Sequence, residues 1–131
     1  MAIKVKLDHS VVHVSDRGRS DAFYRDVLGA DLVGVAGIHM YRFGDAQLNV
    51  HGPGLDAKPV ARVPVAPGNS DLCWEWNGPI EDAMAHLERC GVAIDCGPQR
   101  GFGAKGLGAS VYFRDPDGTL LEFISYKKAS G

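Results

Sequence analysis

The chain has no apolar run long enough to cross a membrane as a helix, and no dense block of basic residues. Its opening "MAIKVKLDH" alternates charged and apolar side chains where a secretory signal carries a continuous apolar stretch, so a cytoplasmic protein with no membrane partner is expected. A formal net charge of -2 gives no electrostatic reason to expect nucleic acid. Cysteine is scarce as well: Cys73, Cys90 and Cys96 are an odd number without paired metal-finger spacing. They fit reduced thiols with a packing role better than a disulfide framework. A small molecule is therefore the default partner. Glycine, by contrast, is abundant at 17 residues, and with 7 prolines it cuts the chain into short elements. A length of 131 residues with 45% hydrophobic content suits one compact domain, residues 1–131.

The short elements repeat. "LDHSVVHV" (7–14) and "NSDLCWEW" (69–76) both alternate with the period of a strand, and each precedes a helix that ends in glycine, at "VLGADL" and "RCGVAI". A shift of 62 carries His9 to Asp71, His13 to Glu75 and Gly29 to Gly91. The first helix is expected near Ser20 to Leu28 and the second over Pro79 to Cys90, with Pro79 at its first position and Ile80, Ala83, Met84 and Leu87 on one face. Gly29 and Gly91 suit the left-handed residue after a last turn. The second halves match as hairpins, "MYRFGDAQLNVH" (40–51) against "VYFRDPDGTLLEFI" (111–124), which lays Tyr41 on Tyr112 and Asn49 on Glu122 with a turn two residues longer in the second copy. Module one is thus residues 5–51 and module two 69–126. Between them, 52–68 holds four prolines and three glycines and reads as an extended linker.

Glu122 is the residue that asks for a partner. It interrupts the apolar strand "LLEFI", and a carboxylate facing an interior is costly unless a cation, metal or substrate group meets it. A pseudo-two-fold relating the modules would gather His9, Asn49, Asp71 and Glu122 toward one concave face. Alternation supports this: His9, Val11 and His13 share a face, as do Asp71, Cys73 and Glu75, while Val12, Val14, Leu72, Trp74 and Trp76 turn toward the helices.

The paired units, "LDHSVVHVSD" followed by "FYRDVLG", and the closing "DPDGTLLEF" resemble the vicinal oxygen chelate superfamily of glyoxalase I, bleomycin-resistance proteins and extradiol dioxygenases, over about residues 5–126. "LNVH" and "PVAPGNSDLCW" look like its glyoxalase-like branch. The resemblance implies an α+β fold of two βαβββ modules forming a curved mixed sheet with helices outside, and a homodimer whose pocket some members share between chains. It implies metal ligands at His9, Asn49, Asp71 and Glu122, with His51 able to join or replace Asn49. Two departures matter: Asn49 stands where glyoxalase I carries a carboxylate, and Asp71 where many members carry histidine. Such a set suits a divalent Mn, Fe, Ni or Mg ion, and Zn less well than two imidazoles would.

With an ion in place, a lyase or isomerase would use Glu122, or Asp71 by symmetry, as the base that moves a proton from carbon. Around them His51, His13, Cys73, Glu75, Tyr112 and Phe102 are candidates for substrate contact, with His13 equally suited to a structural hydrogen bond. A second class is metal-free drug sequestration, for which Tyr41, Tyr112, Phe102, Trp74 and Trp76 offer aromatic walls, although the two tryptophans fall on the core side. A ring-cleaving dioxygenase is a third reading and would need His51 as its second imidazole. "GFGAKGLGAS" (101–110) lacks the Lys-Ser/Thr pair of a phosphate loop and reads as a mobile lid in which Arg100 or Lys105 meets a negative substrate group. His39 and His86 are expected on the solvent side, and Arg17 and Arg19 exposed at the start of the first helix.

Overall fold

The computed structural model describes residues 2–128. The chain divides into two compact units, Met1–Ala66 and Pro67–Gly131, with the boundary inside the Gly/Pro-rich stretch. Unit 1 runs β1 (Ser10–His13), α1 (Arg17–Asp26), β2 (Asp31–Val35), β3 (Ile38–Phe43) and β4 (Ala46–His51). Unit 2 runs β5 (Asp71–Glu75), α2 (Ile80–Arg89), β6 (Cys96–Gly103), β7 (Gly106–Arg114) and β8 (Leu120–Ser125). The sheets have the orders β1-β4-β3-β2 and β5-β8-β7-β6. In each, the first strand is parallel to the last and the other pairs are antiparallel. This is one βαβββ topology twice, an α+β fold.

Period-two alternation sets the faces as expected. Val12 and Val14 are buried while Val11 and His13 are only half-covered, and in β8 Leu121 and Phe123 are buried beside half-covered Glu122. The buried rows meet the helices. Tyr24 of α1 stacks on Tyr41 of β3, with centroids 4.5 Å apart and planes 16° from parallel. In unit 2, Ile80, Ala83 and Leu87 are buried with Val111, Phe113, Leu121 and Phe123. A fully buried leucine such as Leu87 contributes about 1.5–3 kcal/mol. His86 belongs with this layer rather than with solvent: its ring lies 5.4 Å from Trp76 and 6.4 Å from Phe123.

Several expectations are corrected by local chemistry. Helix α1 begins three residues before Ser20, because Asp16 is extended and its Oδ1 accepts the N–H of Arg19 at 2.9 Å. Arg17 therefore lies inside the first turn and is half-buried, not free on the surface. Pro79 is the residue before α2 rather than its first, and Glu81 and Asp82 favour the positive end of the dipole. Gly29 and Gly91 do take left-handed backbones, at φ +72° and +71°. After α1 the turn closes with Ala30 N–H on Tyr24 O at 3.0 Å.

The hairpins match with a one-residue slip. Met40 pairs with Asn49 and Tyr112 with Glu122, so Asn49 corresponds to Glu122 while Tyr41 corresponds to Phe113, not Tyr112. A slip of one exchanges the faces of a strand. Tyr41 accordingly sits in the core, 1% exposed, and is withdrawn from any pocket wall. The expected lid is also corrected. Residues 101–110 form the ends of β6 and β7 around an Ala104-Lys105 turn, with Gly101 on Gly108 and Gly103 on Gly106. All three cysteines are exposed rather than packed.

Candidate functional site

Glu122 sits between a thiol and a phenol. Cys73 is its register partner across β5–β8 and Tyr112 its partner across β7–β8, so all three side chains share the face turned away from α2. Cys73 is exposed as a residue, yet partial desolvation of its sulfur against the sheet pushes the thiol up, and then the negative charge of Glu122, to about 12. The Tyr112 hydroxyl is raised by the same causes in the same order, offset in part by a hydrogen bond with Gln99. Both groups are therefore neutral at physiological pH, and the Cys73 thiol donates to Trp74 O at 3.8 Å. No basic side chain of unit 2 pairs with Glu122 among the described residues: Lys105 lies 2.9 Å from Glu75, and Arg114 2.9 Å from Asp95.

The same face holds residues the sequence reading passed over. Ser110 is fully buried, and its Oγ has no hydrogen-bond partner. It converges with Glu122 on Gly101, where an added Cβ would press on the serine hydroxyl and lie 3.4 Å from Glu122 Oε2. Glycine at 101 thus keeps an opening over two oxygen atoms. The period-two alternation of "GLGASVYFR" was the signal that could have placed Ser110 two residues from Tyr112 on the same face. Asp71 is exposed at the start of β5 on the Cys73 side. Glu75 shares that face, but its charge is met by Lys105, whose ammonium also lies 5.9 Å from the Tyr126 ring. Lys105 is thereby anchored to its own sheet. Phe102 is 85% exposed and pairs with Leu107 on the opposite face of the hairpin from Gly101 and Ser110.

In unit 1, Asn49 holds the position that Glu122 holds in unit 2. Val11 is its partner on β1 as Cys73 is that of Glu122 on β5. Its Oδ1 accepts from Gln47 Nε2 at 2.8 Å, and Arg42 donates to Gln47 Oε1 at 2.7 Å. The amide oxygen keeps its second lone pair. His13 and His51 are register partners on the same face, with ring centroids 5.7 Å apart and planes at 86°. Burial, and then the neighbouring His13, lower His51, so it is neutral at pH 7. His13 Nδ1 is buried without a partner, so no structural hydrogen bond accounts for that atom. Gly52, at φ +80°, is required beside it, because a Cβ there would lie 2.7 Å from Val14 O and 3.1 Å from His13 Nδ1. A cleft of about 680 Å³ opens at this end of the sheet, lined by Arg17, His39, Asn49, His51 and residues 52–59. His9 precedes β1 and is exposed, with Nδ1 2.8 Å from Asp8 Oδ2. A carboxylate only accepts, so His9 Nδ1 donates to Asp8 Oδ2.

The structure thus groups Glu122, Cys73 and Tyr112 in unit 2, and Asn49, His51 and His13 in unit 1. Among the described residues, no three or more His, Cys, Asp or Glu side chains form a metal-holding group. No described helix is long and apolar enough to cross a membrane.

Two βαβββ units, each with a polar row on the face away from its helix, define a class of small-molecule proteins built on duplicated modules. The profile of the Glyoxalase/Bleomycin resistance protein/Dioxygenase superfamily matches residues 6–123, and the chain belongs to that superfamily. It is 36% identical over 122 residues to the Virulence protein STM3117 of Salmonella typhimurium, covering 92% of this chain and 84% of that protein. An integron cassette protein from the mobile metagenome of V. cholerae is 39% identical with a TM-score of 0.88, covering 97% of this chain and 100% of the other. TnmS3, an antibiotic binding protein from Streptomyces sp. CB03234, is 26% identical with a TM-score of 0.68, covering 95% and 98%.

Proposed function

We propose that the protein is a metal-dependent lyase or isomerase acting on a small substrate with adjacent oxygen atoms. The observation that carries this reading is Glu122: a half-buried carboxylate on a central strand, flanked by two groups kept neutral and met by no basic residue among the described residues of its own unit. Such a carboxylate is suited to a cation or to proton transfer, and an unpartnered Ser110 hydroxyl beside it leaves a polar position for a ligand. The donor chemistry fits a divalent ion. His9, Asn49 through the second lone pair of its Oδ1, Asp71 and Glu122 are the donors proposed to hold it, with His51 as the alternative imidazole. When bound, the ion supplies Lewis acidity toward the substrate oxygens. Glu122 takes the proton from the carbon beside the substrate carbonyl and returns it to the neighbouring carbon. The Tyr112 hydroxyl and Cys73 thiol flank Glu122 and stay protonated beside it, and Gly101 leaves room for the substrate.

Glu122→Gln keeps the volume and removes the base. Expected are metal content by mass spectrometry falling from stoichiometric to trace, and loss of deuterium incorporation from D2O into a panel of α-hydroxy-carbonyl compounds. A wild-type protein that exchanges no C–H proton in any metal-loaded form would refute the catalytic reading. A second reading, sequestration of a drug-like molecule, is favoured by the likeness to an antibiotic binding protein and the cleft of about 680 Å³. It predicts ligand binding that survives removal of metal by chelation.

A further inference from the structure

Arg17 opens α1 with a guanidinium that its own unit leaves unmet. Its side chain is only 28% exposed, and its Nε is buried without a hydrogen-bond partner. The acid that faces it, Asp21 one turn on, holds Oδ1 at 3.8 Å, beyond hydrogen-bonding reach, and the same oxygen accepts the Tyr41 hydroxyl at 2.7 Å. Arg25 of the same helix shows the satisfied form, with Nε 2.8 Å and Nη2 3.1 Å from the two oxygens of Asp26. A covered guanidinium without such a fork is stabilised by a ligand that brings a pair of oxygens.

Two hollows of unit 1 meet at this residue. Arg17 and His39 line both the cleft of about 680 Å³ and a smaller one of about 270 Å³, and are the two residues they share. On the larger cleft Lys58 lies 3.6 Å from Asp56, so that pair cancels and Arg17 leaves one net positive charge. His51 adds none at pH 7, being held neutral by burial and by His13. One net charge matches a monoanion better than a dianion. The same cleft presents Ile38 and Leu55, both exposed, with Pro53 and Pro59, and these apolar surfaces suit a hydrocarbon body.

We propose that the cleft of unit 1 binds an organic monocarboxylate, its carboxylate on Arg17 and its body against Ile38, Leu55 and the two prolines. This rests on the sequestration reading, for which it names the ligand class, and draws nothing from Glu122 or a metal. A carboxylate accepts two parallel N–H bonds from a guanidinium, which is the contact Arg17 lacks.

The test titrates benzoate and octanoate into the full chain after chelation of metal, followed by calorimetry and by the NMR signal of the Arg17 Nε–H group, which is assigned by its absence from Arg17→Gln. Both carboxylates are expected to bind and to move that signal. Arg17→Gln should weaken binding about tenfold or more, with Arg17→Lys between, since lysine keeps the charge and loses the fork. Benzamide and octanamide, the same bodies without charge, should bind about tenfold more weakly or worse. No binding of either carboxylate, amides that bind as tightly, an Nε–H signal that stays fixed at saturation, or an Arg17→Gln variant of unchanged melt and unchanged affinity overturns the proposal. Amides that bind where carboxylates do not would strike this ligand class and leave sequestration standing. Inorganic phosphate that displaces benzoate at equal concentration overturns the choice of a monocarboxylate.

Discussion

The charge of Glu122 is readable through the chemistry of its neighbour Cys73. Burial and that charge push the thiol from the usual 9.0 to about 12. At pH 8 the thiolate fraction of such a group is roughly a thousandfold below that of an ordinary thiol. The more basic thiolate is intrinsically more nucleophilic, with a Brønsted coefficient of about 0.4–0.5, which returns a factor of about 20 over this span. Cys73 should therefore react about 40-fold more slowly with 4,4′-dithiodipyridine than an unperturbed thiol. Three single-cysteine variants, followed by absorbance, supply the comparison, since all three cysteines are exposed and only Cys73 stands beside Glu122. The rate at Cys73 should keep climbing through pH 10 with no plateau near 9, because protonation persists to the raised value. In Glu122→Gln the rate should rise, because the neighbouring charge that holds the thiol protonated is gone. A Cys73 that reacts within threefold of the other two, or is indifferent to Glu122→Gln, would refute the placement of an ionised carboxylate against the thiol.

Other consequences concern the scaffold that holds this face. Tyr41→Phe removes the hydroxyl that donates to Asp21 at 2.7 Å and meets buried Ser20 at 2.9 Å. Urea unfolding should register a loss of about 1–3 kcal/mol, partly recovered by adding Ser20→Ala. Gly101→Ala sets a methyl against Ser110 and Glu122 and should cost about 1–3 kcal/mol as well as lowering ligand affinity; a variant as stable and as tight-binding as wild type would contradict the close approach. Asp115, 5% exposed, accepts the N–H groups of Asp117 and Thr119 at 2.9 Å each. Asp115→Ala should destabilise by about 3 kcal/mol in a thermal or urea melt, and Asp115→Asn, which keeps the acceptor, by about 1 kcal/mol.

The strand faces were legible in the sequence because a strand exposes alternate side chains whatever it packs against. Val12, Val14, Leu121 and Phe123 are buried as the alternation required. The correspondence of Asn49 with Glu122 was legible too, since each lies on the last strand of its unit beside a first-strand residue 62 positions from its counterpart. The start of α1 was hidden, because "RGRS" lacks an apolar period and only the Asp16 side chain defines the helix end. The glycine-rich stretch looked like a loop, and proved to be paired strands that approach their neighbours closely enough to exclude side chains.

By itself the sequence determined the duplicated βαβββ order, the left-handed ends after both helices and which residues face away from them, since these depend on side-chain period and backbone freedom a few residues apart. Only the tertiary structure decided that Tyr41 is core while Tyr112 lies beside Glu122, and that Cys73 and Ser110 share the same face. Those outcomes hang on register between strands distant in the chain, where a slip of one residue turns a side chain from the core to the ligand and leaves no trace in local pattern.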